Sequence, residues 1–106
     1  MDRYKQRRQR RLQNPEIAAG YREMESKLKI MHALEAVRQY RHMSQEALAT
    51  RMGKKREALS RLLSSDDANP TLETLIELLT ALDVTADITI RPTEAGESPL
   101  KVALEL

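Results

Sequence analysis

Three cations, Lys54, Lys55 and Arg56, stand together in the stretch GKKREALSRLL, residues 53–63. The spacing of Leu59, Leu62 and Leu63 predicts a helix from about Lys55 to Leu63. A helix N-terminus carries partial positive charge, so each cation placed there is unfavourable by roughly 0.3–1 kcal/mol. The simplest physical reason to crowd cations onto that end is an anion from outside the chain. The competing reading is a basic run that forms a solvated face of a helical bundle.

No other set of residues makes a convergent reactive group. His32 and His42 do not share a helical turn in a ligand pattern. His32 and Glu35 have i, i+3 spacing, but a second such pair needed to complete a metal site is missing. Ser60 has no base nearby in sequence. Three glycines form no phosphate-binding loop, and no cysteine is present to act as nucleophile, thiolate ligand or disulfide partner. A non-enzymatic chain without cofactor or metal is expected.

Charge is distributed unevenly along the 106 residues. Residues 1–13 carry six basic groups against Asp2, and residues 14–43 are nearly balanced. Residues 44–65 hold Arg51, Lys54, Lys55, Arg56 and Arg61 against Glu46 and Glu57. Residues 66–106 hold nine acidic groups against Arg91 and Lys101. A basic front and an acidic back suit a protein that meets an anion with one end only. No apolar run has the length of a membrane span, and the first residues lack the apolar stretch of a signal peptide. Together with the absence of cysteine, this points to a soluble cytoplasmic protein without membrane partners.

The elements that position these groups are legible from caps and periodicity. Residues 1–13 have no apolar face and read as a flexible basic arm. NPEIAAGYREME reads as a short helix, with Asn14 as N-cap, Pro15 at the first helical position and Gly20 weakening its middle. A separate helix is expected from Ser26 to about Tyr40, on the spacing of Ile30, Leu34 and Val37, with Met31 and Ala33 broadening the stripe. Ser44 caps a helix through QEALATRM that stops at Gly53. Thr71 caps the clearest helix, in which Leu72, Leu75, Ile76, Leu79 and Leu82 form one series. The period then changes to two. Ala86, Ile88 and Ile90 alternate with Asp87, Thr89 and Arg91, which predicts a strand over 85–92 ended by Pro92. Residues 93–106 form an acidic tail whose last residues, PLKVALEL, also alternate. The expectation is an all-α bundle of five helices over 14–84, with a short C-terminal strand.

Two short helices joined at Gly53 suggest a helix-turn-helix over 44–63. Ala49 is small where the two helices must pass closely, and Leu48, Met52, Leu59 and Leu62 fall where they share a core. From Ser44 to Leu82, SQEALATRMG…LSRLLSSDDANPTLETLIELLTAL resembles the XRE/Cro-type helix-turn-helix family, in which S/T-Q-E-x-L-A-x-x-x-G precedes S-R and then N-P-S/T-L-x-T-L. Two features depart from that pattern. Lys54 stands where the family usually has an apolar residue, and the loop before Asn69 and Pro70 is slightly longer and lacks a common glycine. The resemblance implies that Arg56, Glu57, Ser60 and Arg61 face base edges of double-stranded operator DNA. Arginine can pair bidentately with guanine and glutamate can accept from cytosine. It also implies that Ser44 and Gln45 clamp the sugar-phosphate chain. Lys54, Lys55 and Arg51 are expected on phosphate. The arm residues Arg7, Arg8, Arg10 and Arg11 are expected along phosphate or the minor groove, the alternative being a solubilising tail. A bundle that uses the same fold without reading DNA remains the competing class.

The flanks narrow the resemblance. The NPE helix before the motif and ALDVTADITIRP after it resemble HigA-type antitoxins of type II toxin–antitoxin modules. That likeness implies an antitoxin that binds a RelE/HigB-like ribonuclease toxin, a small basic protein, and represses its own operon; a stand-alone XRE-family repressor is the alternative. A lone edge strand leaves its backbone unsatisfied, so Ile88 and Ile90 are expected in a strand that pairs across a homodimer. Such a dimer presents two recognition helices about 34 Å apart, one turn of DNA. Pairing of 86–91 with 100–106 within one chain is the other arrangement. The toxin contact is expected at Ile17, Tyr21, Met24 and Leu28, beside the acids Glu16, Glu23 and Glu25; the same helix could instead cover the bundle.

Overall fold

The structure, a computed structural model, describes residues 13–64 and 69–106. Four helices are present among them: α1 (Pro15–Tyr40), α2 (Gln45–Met52), α3 (Arg56–Ser64) and α4 (Leu72–Ala81). The fold is all-α. The arm at 1–12 and the loop at 65–68 lie outside the described residues.

Caps set most of the boundaries. The Asn14 side chain accepts from the Glu16 N–H at 3.0 Å, and Pro15 occupies the first turn, where its missing N–H costs nothing. Ser44 accepts from Ala47 N–H at 3.0 Å, and Thr71 accepts from Thr74 N–H at 3.1 Å. α2 ends at Gly53, whose φ of 66° is the left-handed conformation that glycine adopts without a Cβ clash. There the Lys54 N–H donates to the Ala49 carbonyl at 2.9 Å, and the Gly53 N–H to that of Thr50 at 3.1 Å. α1 and α4 end the same way with non-glycine residues in the left-handed position, His42 at φ 54° and Asp83 at φ 56°.

Two expectations are corrected. The two helices expected across 14–40 are one continuous helix. Ser26 does not cap a new helix; its hydroxyl donates back to the Arg22 carbonyl at 2.8 Å, and the Glu25–Lys29 ion pair at 2.9 Å spans the expected break. The strand expected over 85–92 is not formed within the chain: no strand is assigned among the described residues. The 86–91 segment therefore does not ladder onto 100–106, and an isolated segment has nothing to supply its hydrogen bonds.

The core joins all four helices. It contains Met31, Leu34 and Val37 of α1, Leu48 and Ala49 of α2, Leu59 and Leu63 of α3, and Leu78 and Ala81 of α4 with Leu82. Leu48, Leu59, Leu78 and Leu82 are fully buried. Met52 and Leu62 pack against this cluster from the side. α2 lies against both α3 and α4, and α1 against α3. Ala49 is buried where α2 passes its neighbours, as the motif requires.

Candidate nucleic-acid interface

The Gly53 turn hands the chain from α2 to α3 with the two helices packed together. Leu59 and Leu63 anchor α3 in the core with Leu62 against its side, which turns Arg56, Glu57 and Arg61 outward. Arg56 is the first residue of α3 and is exposed, as are Glu57 and Arg61; Ser60 is half-buried. Lys54 and Lys55 precede the helix rather than occupying it. Glu57 in the first turn complements the helix dipole, which partly offsets the cations before it.

The cations of the motif divide into two sets. Lys54 Nζ lies 3.6 Å from Glu77 Oε2 of α4. Arg51 Nη1 donates to the Ala81 carbonyl at 3.0 Å and sits 3.4 Å from Asp83 Oδ2. Both are drawn back onto α4. Lys55, Arg56 and Arg61 make no ion pair among the described residues, and all three are exposed. Ser44 is exposed at the N-terminal end of α2 with its hydroxyl engaged in the cap, and Gln45 is half-buried beside it.

The scaffold around the motif is tied by arginines that periodicity did not reveal. Arg41 Nη2 donates to the Asp83 carbonyl at 3.1 Å, so Arg41 and Arg51 bring α1 and α2 to the C-terminal end of α4. Cations belong there, because the unpaired carbonyls give a helix C-terminus partial negative charge. Arg38 grips Glu35 with two nitrogens and donates to the Met43 carbonyl at 2.6 Å, closing the α1–α2 connection. The hydrogen bonding that Arg38 donates to the Glu35 carboxylate is the largest cause that raises the Arg38 pKa above the ordinary arginine value. The local signal for these ties was the i, i+3 spacing of Glu35 and Arg38; those of Arg41 and Arg51 to the end of α4 cross 30 residues or more.

Beyond the motif, Ile17, Tyr21, Met24 and Leu28 fall on one stripe of the continuous α1. Ile17 and Met24 are exposed, while Tyr21 and Leu28 are half-buried. Ile88 and Ile90 are exposed, the latter 93%. Further on, Glu97 organises the tail. Arg91 donates to Glu97 Oε1 at 2.7 Å, Lys101 Nζ reaches Oε2 at 2.5 Å, and the Glu94 N–H donates to Oε1 at 3.0 Å. Arg7, Arg8, Arg10 and Arg11 lie outside the described residues.

Among the described residues no group of three His, Asp or Glu side chains could hold a metal ion, and no helix is long and apolar enough to cross a membrane. No curated protein and no solved structure matches the chain. The Helix-turn-helix family model matches residues 34–88, slightly more than half of the sequence, from the C-terminal part of α1 through α4 to Ile88. The chain belongs to the XRE-type helix-turn-helix family and is a DNA-binding regulator of that type.

Proposed function

We propose that this regulator is the antitoxin of a type II toxin–antitoxin module, which represses its own operon and neutralises a small, basic, RelE/HigB-like ribonuclease toxin. The observation that carries the DNA part is the leading end of α3: Lys55 just before the helix and Arg56 and Arg61 on it are exposed and make no ion pair among the described residues, and the helix's leucines hold it firmly to the core. In this reading Arg56, Glu57, Ser60 and Arg61 contact base edges in the major groove. Lys55, Ser44 and Gln45 hold phosphate, Lys54 joins them on leaving Glu77, and the arm residues Arg7, Arg8, Arg10 and Arg11 extend that contact, while Arg51 stays at the end of α4. Two copies bind as a homodimer, to which the segment that carries Ile88 and Ile90 contributes. The protein then acts in the cytoplasm, on the nucleoid.

The toxin part is supported by the α1 stripe. A helix of a small bundle that leaves Ile17 and Met24 exposed, with Glu16 and Glu23 also exposed on the same helix, offers an apolar strip edged by acids. Such a strip attracts a basic partner, whereas the arginine-rich arm repels one. Co-purification from the native host at moderate salt tests this. A stoichiometric small basic protein, lost with Met24→Glu, is the expected result. A chain that binds its own upstream DNA but purifies without such a partner is a stand-alone XRE-family repressor.

A further inference from the structure

α4 has more apolar residues than the core covers. Leu75, Leu78, Leu79 and Leu82 turn to the core. Leu72 and Ile76, one helical turn apart, are 68% and 54% exposed. With Met52 and Ala81 they line an open groove between α2 and α4. Exposed leucine and isoleucine that share a helix face and a groove form a patch, unlike the scattered apolar residues of ordinary surfaces.

We infer that the α4 face of a second copy of this chain covers this groove, about a two-fold axis beside Ile76. The choice of occupant follows from charge. The groove is lined by Arg51 from α2 and by Glu73 and Glu77 from α4. In a two-fold interface, residue i facing j is matched by j facing i, so a groove with one basic and one acidic wall complements itself. Glu73 has no partner among the described residues. Arg51 uses Nη1 for both of its bonds to the end of α4, which leaves the rest of its planar fork for a carboxylate. Setting Arg51 of one copy against Glu73 of the other satisfies both at each end of the contact. Leu72, Ile76 and Met52 of both copies then form the apolar centre, with the ion pairs at the rim. DNA would meet Glu73 and Glu77 here, and a basic protein would meet Arg51.

The inference rests on the homodimeric part of the proposed function and names a different surface for its main contact, α4 rather than the Ile88–Ile90 segment. Sedimentation equilibrium of the full chain tests it, with far-UV circular dichroism to show that each variant is folded. Ile76→Glu is expected to weaken self-association roughly 30-fold or more, the loss typical of a central interface anchor. Leu72→Gln weakens it in the same direction, and Glu73→Lys both weakens it and reduces its dependence on salt. Ile88→Glu has a smaller effect. If the native chain dimerises and folded Ile76→Glu dimerises equally well, the α4 contact is wrong while the homodimer stands. A native chain that is monomeric at all concentrations overturns the homodimer and the α4 contact together.

Discussion

Lys54 Nζ lies 3.6 Å from Glu77 Oε2, a pairing that joins the helix-turn-helix turn to α4 across 23 positions of sequence. The pair accounts for a cation at a position where the family usually has an apolar residue. An apolar side chain would lean on α4, and here α4 supplies a carboxylate instead. Both partners are more than one-third exposed, so the pair itself contributes at most about 1 kcal/mol. Its consequence is for binding. A lysine held by a carboxylate is not free for a phosphate, and the phosphate must displace Glu77. Glu77→Gln is therefore expected to raise affinity for operator and non-operator DNA alike, by up to about fivefold. The slope of log K against log salt should steepen by about one. Fluorescence anisotropy across a salt series measures both, and an unchanged slope would show that Lys54 does not reach phosphate.

Arg56 and Lys55 are neighbours in sequence with separate expected roles. Arg56 opens α3 and Lys55 precedes it. Arg56→Ala is expected to relax sequence preference at one base pair, a loss of about 1–3 kcal/mol of discrimination. Lys55→Ala should weaken all sequences equally and flatten the salt slope by about one. Binding to a panel of singly substituted operators separates the two, and if neither variant changes DNA affinity α3 is not the recognition helix.

The parts of the fold that were legible in the sequence are local ones. Asn14, Ser44 and Thr71 cap their own helices within three residues, and Gly53 terminates α2 by its own backbone freedom. Leu48, Ala49 and Leu59 were legible because motif spacing fixes which residues two short helices share. Ser26 misled because a serine can either start a helix or bond back to the carbonyl four residues earlier, and only the continuous α1 distinguishes these. Leu72 and Ile76 share the periodicity of Leu75 and Leu79, and a period states which face is apolar, not how much of it a neighbour covers. The ties from Arg41, Arg51 and Lys54 to α4 connect elements far apart in sequence and leave no spacing to read.

Backbone conformation provides two stabilising substitutions. Gly20 lies inside α1, and apart from its chain neighbours and the helix's own backbone no described atom comes within 4 Å of where its Cβ would stand. Gly20→Ala is expected to stabilise the chain by about 0.5–1 kcal/mol through helix propensity and a less flexible unfolded state. His42 sits at φ 54° after α1, a conformation that disfavours a side chain, and the His42 and Met43 N–H groups close the helix by donating to Gln39 and Arg38. His42→Gly should gain about 0.5–1 kcal/mol by removing that strain. Gly53→Ala, by the same argument, should lose about 1 kcal/mol. Urea midpoints measured at constant m-value report all three.

Glu97 gives the tail a defined response to acid. The Arg91 hydrogen bond is the largest influence, followed by those from Lys101 and the Glu94 N–H, and together they hold the Glu97 carboxyl far below the usual carboxylate range. A depressed carboxyl stabilises its contacts fully above its ordinary titration range, and that stabilisation is lost as pH falls through the folded-state value. The Arg91–Glu97–Lys101 cluster is therefore expected to stay intact at neutral and mildly acidic pH and to open only in stronger acid. The Glu97 carboxyl chemical shift, followed by NMR from pH 7 downward, should show the group still ionised in mild acid. Glu97→Gln should release the Arg91 side chain at neutral pH, visible as a loss of protection at its Nη1 and Nη2 protons, while α1–α4 keep their helical signal. A Glu97 that titrates in the ordinary carboxylate range would show that the cluster does not hold in solution.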